Sequence, residues 1–243
     1  MNAQSAATVR RATARPLIPS ESILEPGDER AHYWRSLLAA WKQSKRRMPT
    51  TFPGCNPRSI AQSDVPAMAN VPYLVALKSD GVRYALFLTL RPDRGKNDAS
   101  SRGAVALLAD RAGNMYEIEV VAPKTYFTLG TVLEGELVWR EPGRTELVFL
   151  VFDAVCIRGK SMLAASFSDR LAAAANCLRS TERPDTSADV NFVASEMDSI
   201  LSIHCNPVLQ LQAKAFVQQE HLEDVWTHRR RAQHRIDGLI LAR

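Results

Sequence analysis

The chain has 243 residues, 46% of them hydrophobic and 23% charged, a globular balance with room for one large domain or two small ones. No apolar run approaches the roughly 20 residues that span a bilayer, and the four cysteines, Cys55, Cys156, Cys177 and Cys205, form no Cys-x-x-Cys pair, so a membrane span, a zinc ribbon and a disulfide framework are all disfavoured. The net charge of +5 favours phosphate-bearing ligands, nucleotides and nucleic acid among them, through long-range attraction.

The first residues, "MNAQSAATVRRATARPLIP", carry Arg10, Arg11 and Arg15 and no acid, the composition of a transit peptide or of a basic tail near nucleic acid; a disordered basic tail over residues 1-20 is expected. Next, "GDERAHYWRSLLAAWKQSKRR" has Asp28 near its start, apolar Tyr33, Trp34, Leu37, Leu38 and Trp41, and a basic end at Lys45, Arg46 and Arg47. This predicts an amphipathic helix aligned with its own dipole and packed on the main domain.

From Tyr73 to Ile157 the pattern changes to runs of β-branched and aromatic residues: "YLVAL", "VRYALFLTL", "GAVALLAD", "NMYEIEVV", "TVLEGELVW" and "ELVFLVFDAVCI", with Gly and Asp in the connections. These predict a mainly antiparallel sheet region. "SFSDRLAAAANCLRS" reads as a helix capped by Ser166 or Ser168, "RPDTSAD" as a polar loop, "PVLQLQAKAFV" as a strand, "QEHLEDVWTHRRRA" as a helix and "IDGLILA" as a last strand. Hairpins followed by helices and returning strands predict an α+β fold, mainly antiparallel β-sheets flanked by helices.

Within this series, "LVALKSDGVRYALFLTL" at residues 74–90 places Lys78 at the mouth of a polar turn whose backbone needs only Gly81. A lysine held between two buried strands is partly desolvated, which favours its neutral amine and makes it a candidate nucleophile. The competing reading is a solvated head on a buried stem. Three other segments set polar groups in or beside buried strands: "LEGEL" at 133–137, "FLVFDAV" at 149–155 and "IDGLI" at 236–240. Taken singly these are ordinary turn acids and core aromatics; their order is distinctive.

K-x-D-G-x-R, then [D/E]-G-E, F-D and [D/E]-G-[L/V]-[I/M], is the succession of motifs I, III, IIIa and IV in the covalent lysine nucleotidyltransferases, and the chain resembles that superfamily of DNA ligases, RNA ligases and mRNA capping enzymes. The flanks resemble the capping guanylyltransferases: "FPGCNPRSI" before motif I, "KSDGVRYALFL" at it, "LLADRAGNMYEIE" before motif III, then "VFDAVCIRGKSM" and "FSDRL". The resemblance runs from about Phe52 to the C-terminus. It implies a nucleotidyltransferase (ATP-grasp-like) domain, assigned to residues 21-243.

The resemblance implies that Lys78 attacks the α-phosphorus of GTP to give a lysyl-N-GMP, and that the GMP then passes to the 5′-diphosphate end of RNA as a cap. It makes Ser79, Arg83, Glu136, Phe152 and Lys214 nucleotide-binding, with Glu136 near the ribose hydroxyls, Phe152 stacked on guanine, and Lys214 near the base or phosphates. It puts Asp237 beside a divalent metal, Mg2+ or Mn2+. A separate RNA triphosphatase, and a nuclear or viral/cytoplasmic capping setting, are implied as well, with no membrane partner.

Two departures stand beside the match. Glu134 occupies a position where the family usually has Asp, and the sequence stops at Arg243, three residues after "DGLI". The K-x-K of motif V and the OB-fold are therefore expected to be absent from this chain, which would be a fragment or an enzyme of low activity, because a lost phosphate-binding donor commonly costs roughly two or three orders of magnitude in rate. The alternatives are an ATP-dependent polynucleotide ligase and a catalytically retired nucleotidyltransferase fold that binds RNA or protein.

Overall fold

The computed structural model describes residues 18, 22–42, 52–54, 56–68, 70–92, 103–141, 146–178, 202–204 and 209–243. The expected basic tail, the basic residues Lys45, Arg46 and Arg47, and the "RPDTSAD" loop lie outside the described residues, except that Ile18 is buried in the core.

Helix α1 (Asp28–Ala40) begins with Asp28 and Glu29 at its positive end and buries Tyr33, Trp34, Leu37 and Leu38, a stripe set by helical spacing. Trp34 donates its indole N–H to the Gly113 carbonyl at 2.9 Å, which fixes the helix to a hairpin of the sheet. A short helix α2 (Val65–Met68) leads into β1 (Leu74–Ser79) and β2 (Val82–Leu90). There follow β3 (Ala104–Asp110), β4 (Met115–Val121), helix α3 (Lys124–Thr128), β5 (Thr131–Trp139), β6 (Leu147–Ile157), β7 (Lys160–Ser161) and helix α4 (Phe167–Cys177). Ser166 caps α4, accepting from the Asp169 amide at 3.2 Å. The chain then forms β8 (Ser202–His204), β9 (Leu209–Ala213), β10 (Val217–Gln218), helix α5 (Leu222–Thr227) and β11 (Ile236–Ala242).

The larger sheet runs β5-β2-β3-β4-β8-β9-β6-β7, and an added β5–β6 pairing closes the ladder on itself. Among the described strands only β6–β9 is a parallel pair. Both faces of β2 and β3 are covered. Tyr84, Leu86, Leu88, Ala106 and Leu108 pack with α3 and α4, while Phe87, Val105 and Leu107 pack with α1. That double burial is why these strands read as continuous apolar runs rather than as alternating ones.

A second, antiparallel sheet has the order β10-β1-β11. The "KSDGVR" turn therefore joins two sheets and makes no hairpin: β1 pairs with β10 and β11, whereas β2 pairs with β3 and β5. Gly81 serves a close approach there, since a Cβ would lie 2.6 Å from the Leu137 carbonyl oxygen. The Glu134-Gly135 and Asp237-Gly238 pairs, with the form of turn dipeptides, sit inside β5 and β11; at Gly135 a Cβ would meet the Phe149 ring at 2.5 Å.

Two expectations for the C-terminal third need correction. The single strand expected across "PVLQLQAKAFV" breaks at Lys214-Ala215-Phe216, because β9 belongs to the large sheet and β10 to the small one. The helix expected over "QEHLEDVWTHRRRA" is α5 flanked by two 3-10 turns, Gln219–His221 and His228–Arg231. Both differences place side chains in the space between the sheets.

Candidate active site

Lys78 lies opposite Gly238 across the β1–β11 ladder, just before a register shift. Its Nζ donates to both Asp237 carboxylate oxygens, at 2.7 and 2.6 Å, with the two side chains 43% and 46% exposed. The lysine is half-exposed, and its head is held by a carboxylate from the neighbouring strand.

Behind this pair sits a second lysine. Lys214 is buried at the sheet crossing and donates to Glu136 Oε2 at 3.1 Å and to Ser79 Oγ at 3.0 Å. Burial lowers its pKa, Glu136 pulls it back up, and the nearby Lys78 charge lowers it further. Ser79 Oγ is also 3.0 Å from His234 Nε2. A hydroxyl that accepts from Lys214 keeps its own proton to donate, and a neutral His234 with an open Nε2 is the matching acceptor. Burial, then the Lys214 charge, lowers the His234 pKa from its ordinary 6.5.

The sign of that shift gives a stability prediction. Between the folded-state pKa and 6.5 the unfolded chain binds more protons, so stability held above pH 6.5 is lost as the pH falls through the folded-state value. His234→Gln keeps an acceptor without a titration, and urea unfolding between about pH 7 and pH 5 is expected to show a flatter loss in the variant. Identical slopes in the two proteins would remove His234 from this account.

A third group lies on the face of β2 and β5. Arg83 Nη2 is 2.5 Å from Glu134 Oε1, with the side chains only 10% and 4% exposed. Burial raises the Glu134 pKa, and Arg83 opposes the rise. The guanidinium is stacked between two rings, 5.2 Å from the Phe52 centroid and 5.4 Å from that of Phe152. Gly54 is tied to this cluster, because a Cβ there would meet Glu134 Oε1 at 2.1 Å and Arg83 Nη2 at 2.3 Å. Phe152 is half-buried at an irregularity in β6: Glu134 pairs with Asp153 and Gly135 with Val151, leaving Phe152 without an opposite partner. The adjoining Asp153 accepts two hydrogen bonds from Arg170 of α4, at 2.7 and 3.0 Å, which pins this segment.

Of the residues expected from sequence, Lys78, Ser79, Glu136, Lys214 and Asp237 thus fall in one electrostatic network, while Arg83 and Phe152 form an adjoining cluster. Glu134 and Glu136, two apart on β5, link the two groups. Sequence reasoning did not find His234, a lone histidine in a polar run, nor the Arg83–Glu134 pair. "FPG" was visible as a segment, but its packing against Arg83 was not. A cavity of about 520 Å³ opens from Ser79, Lys214 and His234 towards His228, Arg231 and Leu150, a volume suited to a small ligand.

Among the described residues there is no cluster of three or more His, Cys, Asp or Glu side chains able to hold a metal. Mg²⁺ is commonly bound by one or two carboxylates together with substrate phosphates, and the half-exposed Asp237 provides such a carboxylate beside Lys78.

The model of the mRNA capping enzyme catalytic domain matches residues 21–243. The mRNA-capping enzyme subunit alpha of Schizosaccharomyces pombe is 33% identical over 133 residues, which cover 51% of this chain and 31% of the relative. The protein of the same name from Saccharomyces cerevisiae is 31% identical over 137 residues, 50% of this chain and 28% of the relative. That from Candida glabrata is 28% identical over 172 residues, 65% and 36% respectively. The chain spans about a third of the length of these curated relatives.

Proposed function

We propose that this chain, which belongs to the mRNA capping enzyme catalytic-domain family, is an mRNA guanylyltransferase that moves GMP from GTP to the 5′-diphosphate end of RNA through a lysine-bound intermediate. The observation that carries the reading is the half-exposed Lys78 amine held 2.6 Å from Asp237, with the Lys214–Ser79–Glu136 network immediately behind it.

In the first half-reaction the Lys78 nitrogen attacks the α-phosphorus. The N–P bond forms, the bond from that phosphorus to the bridging oxygen breaks, pyrophosphate leaves and the amine gives up a proton. Attack needs the free base, so the Lys78–Asp237 pair must open, and Asp237 is the nearest acceptor for the proton. In the second half-reaction a terminal oxygen of the RNA diphosphate attacks the same phosphorus, the P–N bond breaks, and the lysine regains a proton as the GpppN cap departs.

Lys214 offers a buried cation to the nucleotide, and Ser79 and Glu136 hold its direction. Phe152 offers a flat face to guanine, a stack worth roughly 1 to 3 kcal/mol. Mg²⁺ or Mn²⁺, held by Asp237 and the triphosphate, would neutralise phosphate charge and favour departure of pyrophosphate. The name subunit alpha, carried by the yeast relatives, supports a companion subunit; its proposed activity is the RNA triphosphatase step that makes the diphosphate end, in nuclear mRNA processing.

The test is α-labelled GTP with a divalent ion and the full natural chain. The expected product is a protein adduct, labile in acid and stable in alkali as phosphoramidates are, whose label moves to diphosphate-ended RNA. Labelling by ATP in place of GTP would give the site to a ligase, and labelling by neither would leave a nucleotidyltransferase fold without the chemistry.

A further inference from the structure

We propose that Trp226 and the arginines that follow it form the docking surface for the single-stranded 5′ segment of the acceptor RNA. This rests on the guanylyltransferase reading for its choice of polyanion, while the surface itself is defined by geometry. Helix α5 ends in a 3-10 turn whose four residues are all basic in type: His228, Arg229, Arg230 and Arg231. A helix C-terminus is served by one cation near its last carbonyls, and Arg229 fills that role by donating to the Trp226 carbonyl at 2.7 Å. Arg230 and Arg231 are exposed, and among the described residues neither makes an ion pair. Their charge is in excess of what the fold uses.

The aromatic residue beside them is as uneconomical for a structural role. Trp226 is 42% exposed, and the Arg229 guanidinium lies 4.1 Å from its ring centroid, which steadies the indole. A half-open ring steadied by Arg229 and followed in the chain by two exposed arginines suits a flexible strand that offers both phosphates and unstacked bases: arginine takes phosphate oxygens, and the ring takes a base. An acidic peptide would use the arginines and leave the indole without a purpose. His228 and Arg231 also line the cavity that reaches Ser79, Lys214 and His234, so the basic surface continues from the proposed nucleotide cleft outwards. An RNA whose 5′ diphosphate enters at Lys78 would have its following nucleotides on this path.

The experiment reads RNA binding and the two half-reactions separately, in the full natural chain. Fluorescence anisotropy with a labelled 5′-diphosphate oligoribonucleotide is expected to show roughly tenfold weaker binding for Trp226→Ala, the loss of one stacked base. Arg230→Ala is expected to weaken binding and to reduce the slope of log affinity against log salt by about one. Formation of the GMP adduct should remain within about twofold of the parent in both variants, with the defect confined to the KM for RNA in the transfer step. Parent-like RNA affinity and salt slope in folded variants would overturn the docking surface, including the case in which an acidic peptide binds there instead. If the parent forms no adduct, the guanylyltransferase reading fails, and the anisotropy comparison still decides whether this surface holds RNA.

Discussion

Replacing Lys78 by alanine is expected to abolish the covalent adduct, with labelling reduced by at least about four orders of magnitude, because the proposed nucleophilic atom is removed. The other lysine of the network cannot stand in for it: Lys214 is buried and bonded to Glu136 and Ser79. The alanine variant has a second effect that the geometry makes separable. Asp237 loses the cation 2.6 Å away, and an uncompensated carboxylate would then face the triphosphate, so GTP binding should weaken most when divalent ion is scarce. Lys78→Arg supplies the control, since a guanidinium can keep the Asp237 pair but stays protonated and cannot attack. Denaturing gels should show no adduct for either variant, while titration calorimetry should find GTP affinity nearer to the parent in Lys78→Arg. Substantial labelling in Lys78→Ala would move the nucleophile elsewhere and end the present assignment.

The sequence was most legible where local chemistry and global burial agree. The apolar runs of β2 and β3 marked their strands because both faces are covered, and Asp28 marked the start of α1 through its dipole. The order of Lys78, Glu136, Phe152 and Asp237 along the chain also pointed to a common site, and the fold brings Lys78 and Asp237 into contact across 159 positions of sequence.

What could not be read was which sheet each strand joins. The six residues of "KSDGVR" look the same in a hairpin as in a link between sheets; the distinction lies in Leu137, whose carbonyl excludes a side chain at position 81. Pattern alone put Lys214 in an alternating strand, and only the family resemblance set it near the nucleotide; the break in the strand there, which brings its amine to Ser79 and Glu136, was not legible. His234 gave no signal, because its role depends on a serine 155 positions away.

The Arg83–Glu134 pair allows the strongest test of stability, and it also tests whether Arg83 serves the nucleotide. Arg83→Met would leave a carboxylate that is 4% exposed without its cation, and breaking a buried pair from one side costs about 3 to 5 kcal/mol. Part of the loss comes from the Phe52 and Phe152 rings, each of which stacks on the guanidinium with a worth of about 0.5 to 2 kcal/mol. Removing both charges is different: in Arg83→Met/Glu134→Leu no buried charge is stranded, and most of the stability should return in chemical denaturation. If Arg83 acts only through Glu134, GTP affinity will return with it. If the guanidinium also contacts the nucleotide, as the capping family implies, the double variant will be stable and still bind GTP roughly tenfold or more weakly, the worth of a lost charge-assisted hydrogen bond. A double variant no more stable than Arg83→Met would mean that packing around Gly54, rather than charge, sets the cost at this position.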